Sequence, residues 1–157
     1  MYQRALSAMQ RACSMREYCP ADILKKLARY QLSDTDNTLI IKSLEEDGFI
    51  SSHRYAFAFV RDKSSLSGWG PSKIRWALKG KLIPKELIDE ALAQFTPDQE
   101  EERLVTLLEK RLSAQKSKLS ERDKLKASLV RFALSRGFGY DKVLSQVNRL
   151  LANFAKH

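Results

Sequence analysis

Three sets of apolar residues in this chain keep one interval. Ile23, Ile74 and Leu125 follow one another at 51 residues, as do Leu27, Leu78 and Leu129, and Leu32, Ile83 and Leu134. Self-similarity at a fixed period of this size marks a repeat architecture, in which each small unit buries its apolar face partly against its neighbours. The first two sets sit four residues apart inside what reads as a helix, and each copy of that helix follows a start signal: Pro20, Pro71 or Ser120. The chain is therefore predicted to be all-α: three tandem three-helix repeats, at 1–51, 52–95 and 96–157, forming an elongated, curved array.

Nine helices fill those repeats. Arg4 to Arg16 forms the first, with Leu6, Met9 and Cys13 inward; Pro20 starts the second, burying Ile23, Leu24 and Leu27. Ser33 followed by Asp36 resembles a capping box for a third helix, which carries Leu39, Ile40 and Leu44 and closes at Gly48. The fourth spans His53 to Lys63, capped by Ser51 or Ser52, with Tyr55, Phe59 and Val60 inward. Gly68-Trp69-Gly70-Pro71 breaks the chain before a fifth helix, Pro71 to Lys79, which buries Ile74 and Leu78. Pro84 opens the sixth, with Leu87, Ile88, Ala91 and Leu92 inward, and Thr96, Pro97 and Gln99 cap the seventh, built on Leu104, Leu107, Leu108 and Leu112. Ser120 caps the eighth, with Leu125, Leu129 and Phe132 inward and its end at Gly137; the ninth holds Val143, Leu144, Val147, Leu150 and Leu151.

Charge is spread unevenly. The chain carries 28 Lys and Arg against 19 Asp and Glu, a net +9. Residues 1–51 are neutral, with seven of each sign, whereas 52–95 hold eight basic to four acidic and 96–157 hold thirteen to eight. Two basic thirds beside a neutral one imply a working face for a polyanion. Arg54, Arg61, Lys63, Lys73, Arg75, Lys79, Lys81 and Lys85 stand against Asp62 alone between 54 and 85. A second cluster holds Lys116, Lys118, Arg122, Lys124, Lys126 and Arg131. Density of this kind fits phosphate contacts, whose neutralisation releases counterions. Trp69, between two glycines, either projects as an anchor or folds back over the core. The core reading is adopted, and Trp76, Tyr55, Phe57 and Phe59 are assigned to the core by the same logic.

Catalysis finds little support. His53 and His157 are the only histidines, so no Ser/His/Asp or Cys/His constellation can be drawn, and no Walker loop, dinucleotide fingerprint or HExxH is present. No catalytic, cofactor or metal residue is assigned. Glu100, Glu101 and Glu102 suit the first turn of a helix, and Glu45, Glu46 and Asp47 a solvated helix end, so a metal-dependent nuclease is only the third reading. Cys13 and Cys19 match no zinc or redox spacing and read as free structural thiols. No apolar run approaches the ~20 residues needed to cross a bilayer. A soluble, cytoplasmic monomer without membrane contact is expected.

The string Arg54-Tyr55-Ala56, Phe59-Val60-Arg61-Asp62-Lys63, Gly68-Trp69-Gly70-Pro71-Ser72-Lys73-Ile74-Arg75 resembles the signature of the RecX regulatory proteins of bacteria. Cys19-Pro20-Ala21-Asp22-Ile23 and Asp47-Gly48-Phe49-Ile50 resemble its flanks. The resemblance implies three tandem three-helix repeats. It also implies a regulator that binds the RecA recombinase along the groove of its filament on DNA and reduces strand exchange and ATP hydrolysis. Members of the family also bind single- or double-stranded DNA, and no cofactor is implied. Carried over by motif position, Arg61, Lys63, Lys73 and Arg75 are the candidates for the RecA or DNA face, joined from the charge clusters by Arg54, Lys79, Lys81, Lys118, Arg122, Lys124, Lys126 and Arg131, with Trp69 between them. The competing class is an independent DNA-binding protein whose helical pairs act like helix-turn-helix units.

Overall fold

The computed structural model describes residues 1–115 and 121–155. Among the described residues there are nine α-helices and no strand. They are α1 (Tyr2–Met15), α2 (Pro20–Leu27), α3 (Asp34–Glu46), α4 (Ser52–Ser65), α5 (Pro71–Gly80), α6 (Lys85–Leu92), α7 (Pro97–Ala114), α8 (Arg122–Ser135) and α9 (Tyr140–Ala155), with a 3₁₀ turn at Ala28–Tyr30. Local chemistry explains most boundaries. The Ser33 hydroxyl accepts from the Asp36 N–H at 3.1 Å, and Thr96 and Gln99 form a reciprocal capping box. Ser51 caps α4 by accepting from the Arg54 N–H at 3.2 Å. Glu121 occupies the N-cap of α8 without a side-chain bond. Ser120, the expected cap, lies outside the described residues.

Three helices end alike. After α3, α5 and α8 a residue in the left-handed region follows, namely Gly48 (φ 76°), Leu82 (φ 62°) and Gly137 (φ 96°). The N–H of the residue after it returns to a carbonyl five residues back: Phe49 to Leu44, Ile83 to Leu78 and Phe138 to Ala133. This double-bonded closure satisfies the last helical carbonyls and turns an apolar side chain inward. Leu82 makes it without glycine, at a cost of roughly 1–2 kcal/mol. The same closure corrects the third member of the 51-residue series. Helix α8 runs one turn further past Leu129 than α5 runs past Leu78, so Phe138 is the buried closing residue and Leu134 is 38% exposed.

The chain divides into two compact units, one formed by Met1–Val60 with Ala77–Ala91, the other by Arg61–Trp76 with Leu92 onward. In the first, Ala5, Met9, Ile23, Leu27, Ile40, Leu44 and Ile50 make the core of α1 to α3, and Tyr55, Ala56, Val60, Leu78, Ile83, Ile88 and Ala91 are buried as well. Leu24 and Leu39, expected inward, are about half exposed. Each falls next to, rather than on, the i, i+4 stripe of Ile23 and Leu27 or Ile40 and Leu44.

In the second unit α7, α8 and α9 pack around Leu104, Leu108, Leu112, Leu125, Leu129, Ala133, Phe138, Val143, Val147, Leu150 and Leu151. Ala133 faces inward where Phe132 was expected, and Phe132 lies half-buried beside it. The segment before α5 joins this bundle through backbone. Gly70 N–H donates to the Arg136 carbonyl at 2.5 Å and Ser72 N–H to the Gly137 carbonyl at 3.0 Å. A Cβ on Gly70 would lie 2.6 Å from the Gly137 oxygen, and one on Gly137 2.5 Å from the Lys73 nitrogen. Trp76 is the clearest departure from expectation: it is 78% exposed and belongs to no core. Two positions beyond buried Ile74, it points to the opposite side of α5.

Gly70→Ala and Gly137→Ala should each lower unfolding free energy by about 2–4 kcal/mol, because backbone must move to admit the methyl group. Gly80→Ala, in α5 with nothing within 4 Å of the new Cβ, should be neutral or gain about 0.5–1 kcal/mol. Urea unfolding of the three variants checks the contrast.

Candidate nucleic-acid interface

The basic candidates separate into those bound into the structure and those standing outward. Arg54 holds the start of α4. Its Nε donates to Glu17 at 3.1 Å, and a terminal nitrogen donates to the carbonyls of Gly48 and Phe49 at 3.0 and 3.4 Å. A guanidinium suits that task, offering several fixed donors to a carboxylate and to carbonyls just past a helix end.

Lys81 is likewise engaged, through its bond to Asp22 at 2.5 Å. Asp22 in turn accepts from the Cys19 N–H at 3.3 Å, while the Cys19 thiol takes the N-cap place of α2. Burial pushes the Asp22 carboxyl up, but the bonds from Lys81 and Cys19 outweigh it and hold it below the usual range. The bond to Asp22 raises Lys81. Burial, then the Asp22 charge, raises the Tyr55 hydroxyl. Burial also raises the thiols of Cys13 and Cys19, both free.

Trp69 is half-buried and carries a cation toward its ring on two sides, with Lys63 Nζ at 4.7 Å and Lys73 Nζ at 4.5 Å from the ring centroid. Its backbone N–H donates to the Lys63 carbonyl at 2.9 Å. The indole also borders an apolar crevice with Pro71, Ile74, Leu92, Phe95 and Phe138. Such ammonium–indole pairs are worth about 0.5–2 kcal/mol, more when water is excluded. Arg61 reaches its neighbour Asp62 at 3.3 Å, Arg75 is half-buried, and Lys79 is exposed.

On α8, Lys124 and Arg131 are exposed and seven residues apart, two turns along one outward stripe; Arg122 is exposed and Lys126 half-buried. Lys124 lies 4.0 Å from Glu121. Lys118 lies outside the described residues. Beside this stripe, Arg111 and Arg136 lie over the Phe132 ring at 4.6 and 5.1 Å, a pairing that counting charges does not reveal. Its one sequence signal was Phe132 and Arg136 at i, i+4. A cleft of this unit, about 680 Å³, is bordered by Pro71, Pro97, Leu104, Phe138 and Tyr140. Two of its acidic members are engaged: Glu101 accepts from Gln146 at 2.6 Å and Glu100 lies 3.6 Å from Lys142. Among the described residues no His, Cys, Asp and Glu grouping is arranged to hold a metal ion, and no helix is long and apolar enough to cross a membrane.

Helical triplets, backbone-sealed turns and basic outer faces with cations set on aromatic rings place this chain among small helical-repeat proteins. The comparisons narrow that class. Residues 53–92 match the family model described as RecX, second three-helix domain. A regulatory protein RecX of Clostridium botulinum (strain Eklund 17B / Type B) is 34% identical over 74% of this chain and 54% of its own length. The crystal structure of a regulatory protein RecX superposes with a TM-score of 0.81 at 26% identity, over 97% of this chain and 71% of that one. RecX from Lactobacillus salivarius superposes with a TM-score of 0.77 at 24% identity, over 96% of both. The chain belongs to the RecX family. It spans about half the length of the curated relatives it matches, 54% for the Clostridium botulinum protein.

Asp22→Asn should cost about 1–3 kcal/mol at neutral pH, by leaving Lys81 and the Cys19 N–H with a weaker acceptor. The sign follows from the shifts. Asp22, depressed when folded, stabilises above its unfolded pKa near 4, and that contribution fades as pH falls through the lower folded value. Lys81 and Tyr55, both raised, contribute fully below their unfolded pKa values near 10 and lose the contribution at higher pH. The difference between wild type and Asp22→Asn in urea unfolding should therefore shrink on acidification below pH ~4.

Proposed function

We propose that this chain is a regulator of the RecA recombinase that binds the RecA filament on DNA and lowers its ATP hydrolysis and strand exchange. The observation that carries the reading is the family match across 53–92, the stretch that holds Arg54, Arg61, Lys63, Trp69, Lys73, Arg75, Lys79 and Lys81. The name regulatory protein RecX, borne by the curated relatives, supports a regulatory role. The division of labour proposed here assigns Lys79, Arg122, Lys124, Lys126 and Arg131 to phosphates or to acidic RecA surface, because they stand on the outside of their helices or near it. Arg54 and Lys81 act instead by holding the first unit in shape. The chain works stoichiometrically in the cytoplasm as a monomer, with its three repeats at 1–51, 52–95 and 96–157.

The test is RecA's DNA-dependent ATP hydrolysis during titration with this protein, with DNA in excess. Inhibition well below the amount needed to coat the DNA is expected. Inhibition relieved by added DNA would favour an independent DNA-binding protein instead. Lys124→Glu with Arg131→Glu should raise the half-inhibitory concentration about tenfold, the scale of one or two lost charge contacts, while leaving unfolding within about 0.5 kcal/mol of wild type.

A further inference from the structure

Trp76 is the feature that the fold does not use. A side chain of this size is rarely left 78% exposed on a helix, and Trp76 stands on the outer side of α5, one turn after the small, exposed Ser72. Helix α5 carries Lys73, Arg75 and Lys79 and no acidic residue. Bare indole on an acid-free basic helix suits a ligand that offers flat aromatic groups on a polyanionic backbone. Trp69 cannot serve in the same way, since it is half-buried and lysines lie over its ring at 4.5 and 4.7 Å.

We infer that Trp76 is a base-stacking platform for single-stranded nucleic acid, set on a helix whose charged residues are all basic and so suit the phosphates beside the stacked base. The inference rests on the DNA contact in the proposed function and adds the strand type and the residue. An unpaired base exposes both of its faces, whereas duplex bases are already stacked, so an indole projecting from a helix selects the single strand. Stacking on one aromatic side chain supports affinity without sequence preference.

The test uses the 157-residue chain without RecA. A short oligo(dT) and an abasic strand of equal length are titrated into wild type, Trp76→Ala and Trp76→Phe while tryptophan emission and anisotropy are followed. Oligo(dT) should quench wild-type emission, and most of that quench should vanish in Trp76→Ala. Affinity for oligo(dT) should fall about tenfold in Trp76→Ala and less in Trp76→Phe, while affinity for the abasic strand should be equal in all three. Because Trp76 is exposed, the unfolding midpoint should not move. Equal oligo(dT) affinity of wild type and Trp76→Ala would overturn the inference, and a simultaneous loss of RecA inhibition would assign the indole to a protein pocket. Absence of any oligo(dT) binding by wild type would overturn it too. Retained inhibition of RecA in either case would leave the regulatory reading standing.

Discussion

Two backbone hydrogen bonds, Gly70 to Arg136 and Ser72 to Gly137, tie the segment before α5 to the α7–α9 bundle of the second unit. They join a loop and a turn across a gap too narrow for a Cβ on either glycine. A bond between main chains at that distance brings other groups with it. Phe138, which follows the left-handed Gly137, is directed inward, and Lys73, which follows Ser72, begins against Gly137 before its ammonium reaches the Trp69 ring. The Gly-Trp-Gly-Pro sequence is thus a seam first. Its conformational freedom serves close approach, and its tryptophan covers the crevice beside it.

Charge follows a comparable logic of position. The same residue type performs different work according to what lies within reach. Arg54 bonds to a carboxylate and to the carbonyls past α3, Lys81 completes a partly buried acidic site, and Lys63 and Lys73 lie over an indole. Lys124 and Arg131 reach outward from α8. Ammonium and guanidinium groups over aromatic rings recur at Tyr18, Tyr30, Phe95 and Phe132, which keeps long basic side chains extended along half-buried rings rather than loose in water. A net charge of +9 therefore overstates the cation density open to a partner.

Much of the fold was legible because its determinants are local. Ser33 with Asp36, Thr96 with Gln99 and Pro20, Pro71 and Pro97 announce helix starts within four residues, and the series through Ile23, Ile74 and Leu125 exposed the repeated register. The register failed at Leu134 because a fixed interval cannot see one additional turn of α8, although Gly137 followed by Phe138 marked the true closure. Trp76 was misassigned by residue type, when its spacing from Ile74 already turned it outward. The candidate site was harder to read. Arg54 with Glu17 and Lys81 with Asp22 are 37 and 59 residues apart, and no periodic pattern signals which cations are claimed by carboxylates at such separations.

The seam between Gly70 and Gly137 also has a temporal side. Most stabilising contacts in a helical bundle are short in sequence, but this one closes a loop of more than sixty residues. During synthesis at about 5–20 residues per second, the Gly-Trp-Gly-Pro loop emerges several seconds before its acceptors exist. Over that interval Trp69 lacks the Phe138 side of its crevice, and the apolar surface later sealed there is open to the surrounding solution. A nascent chain of this design is most vulnerable to misassociation between the translation of its central motif and the completion of α8.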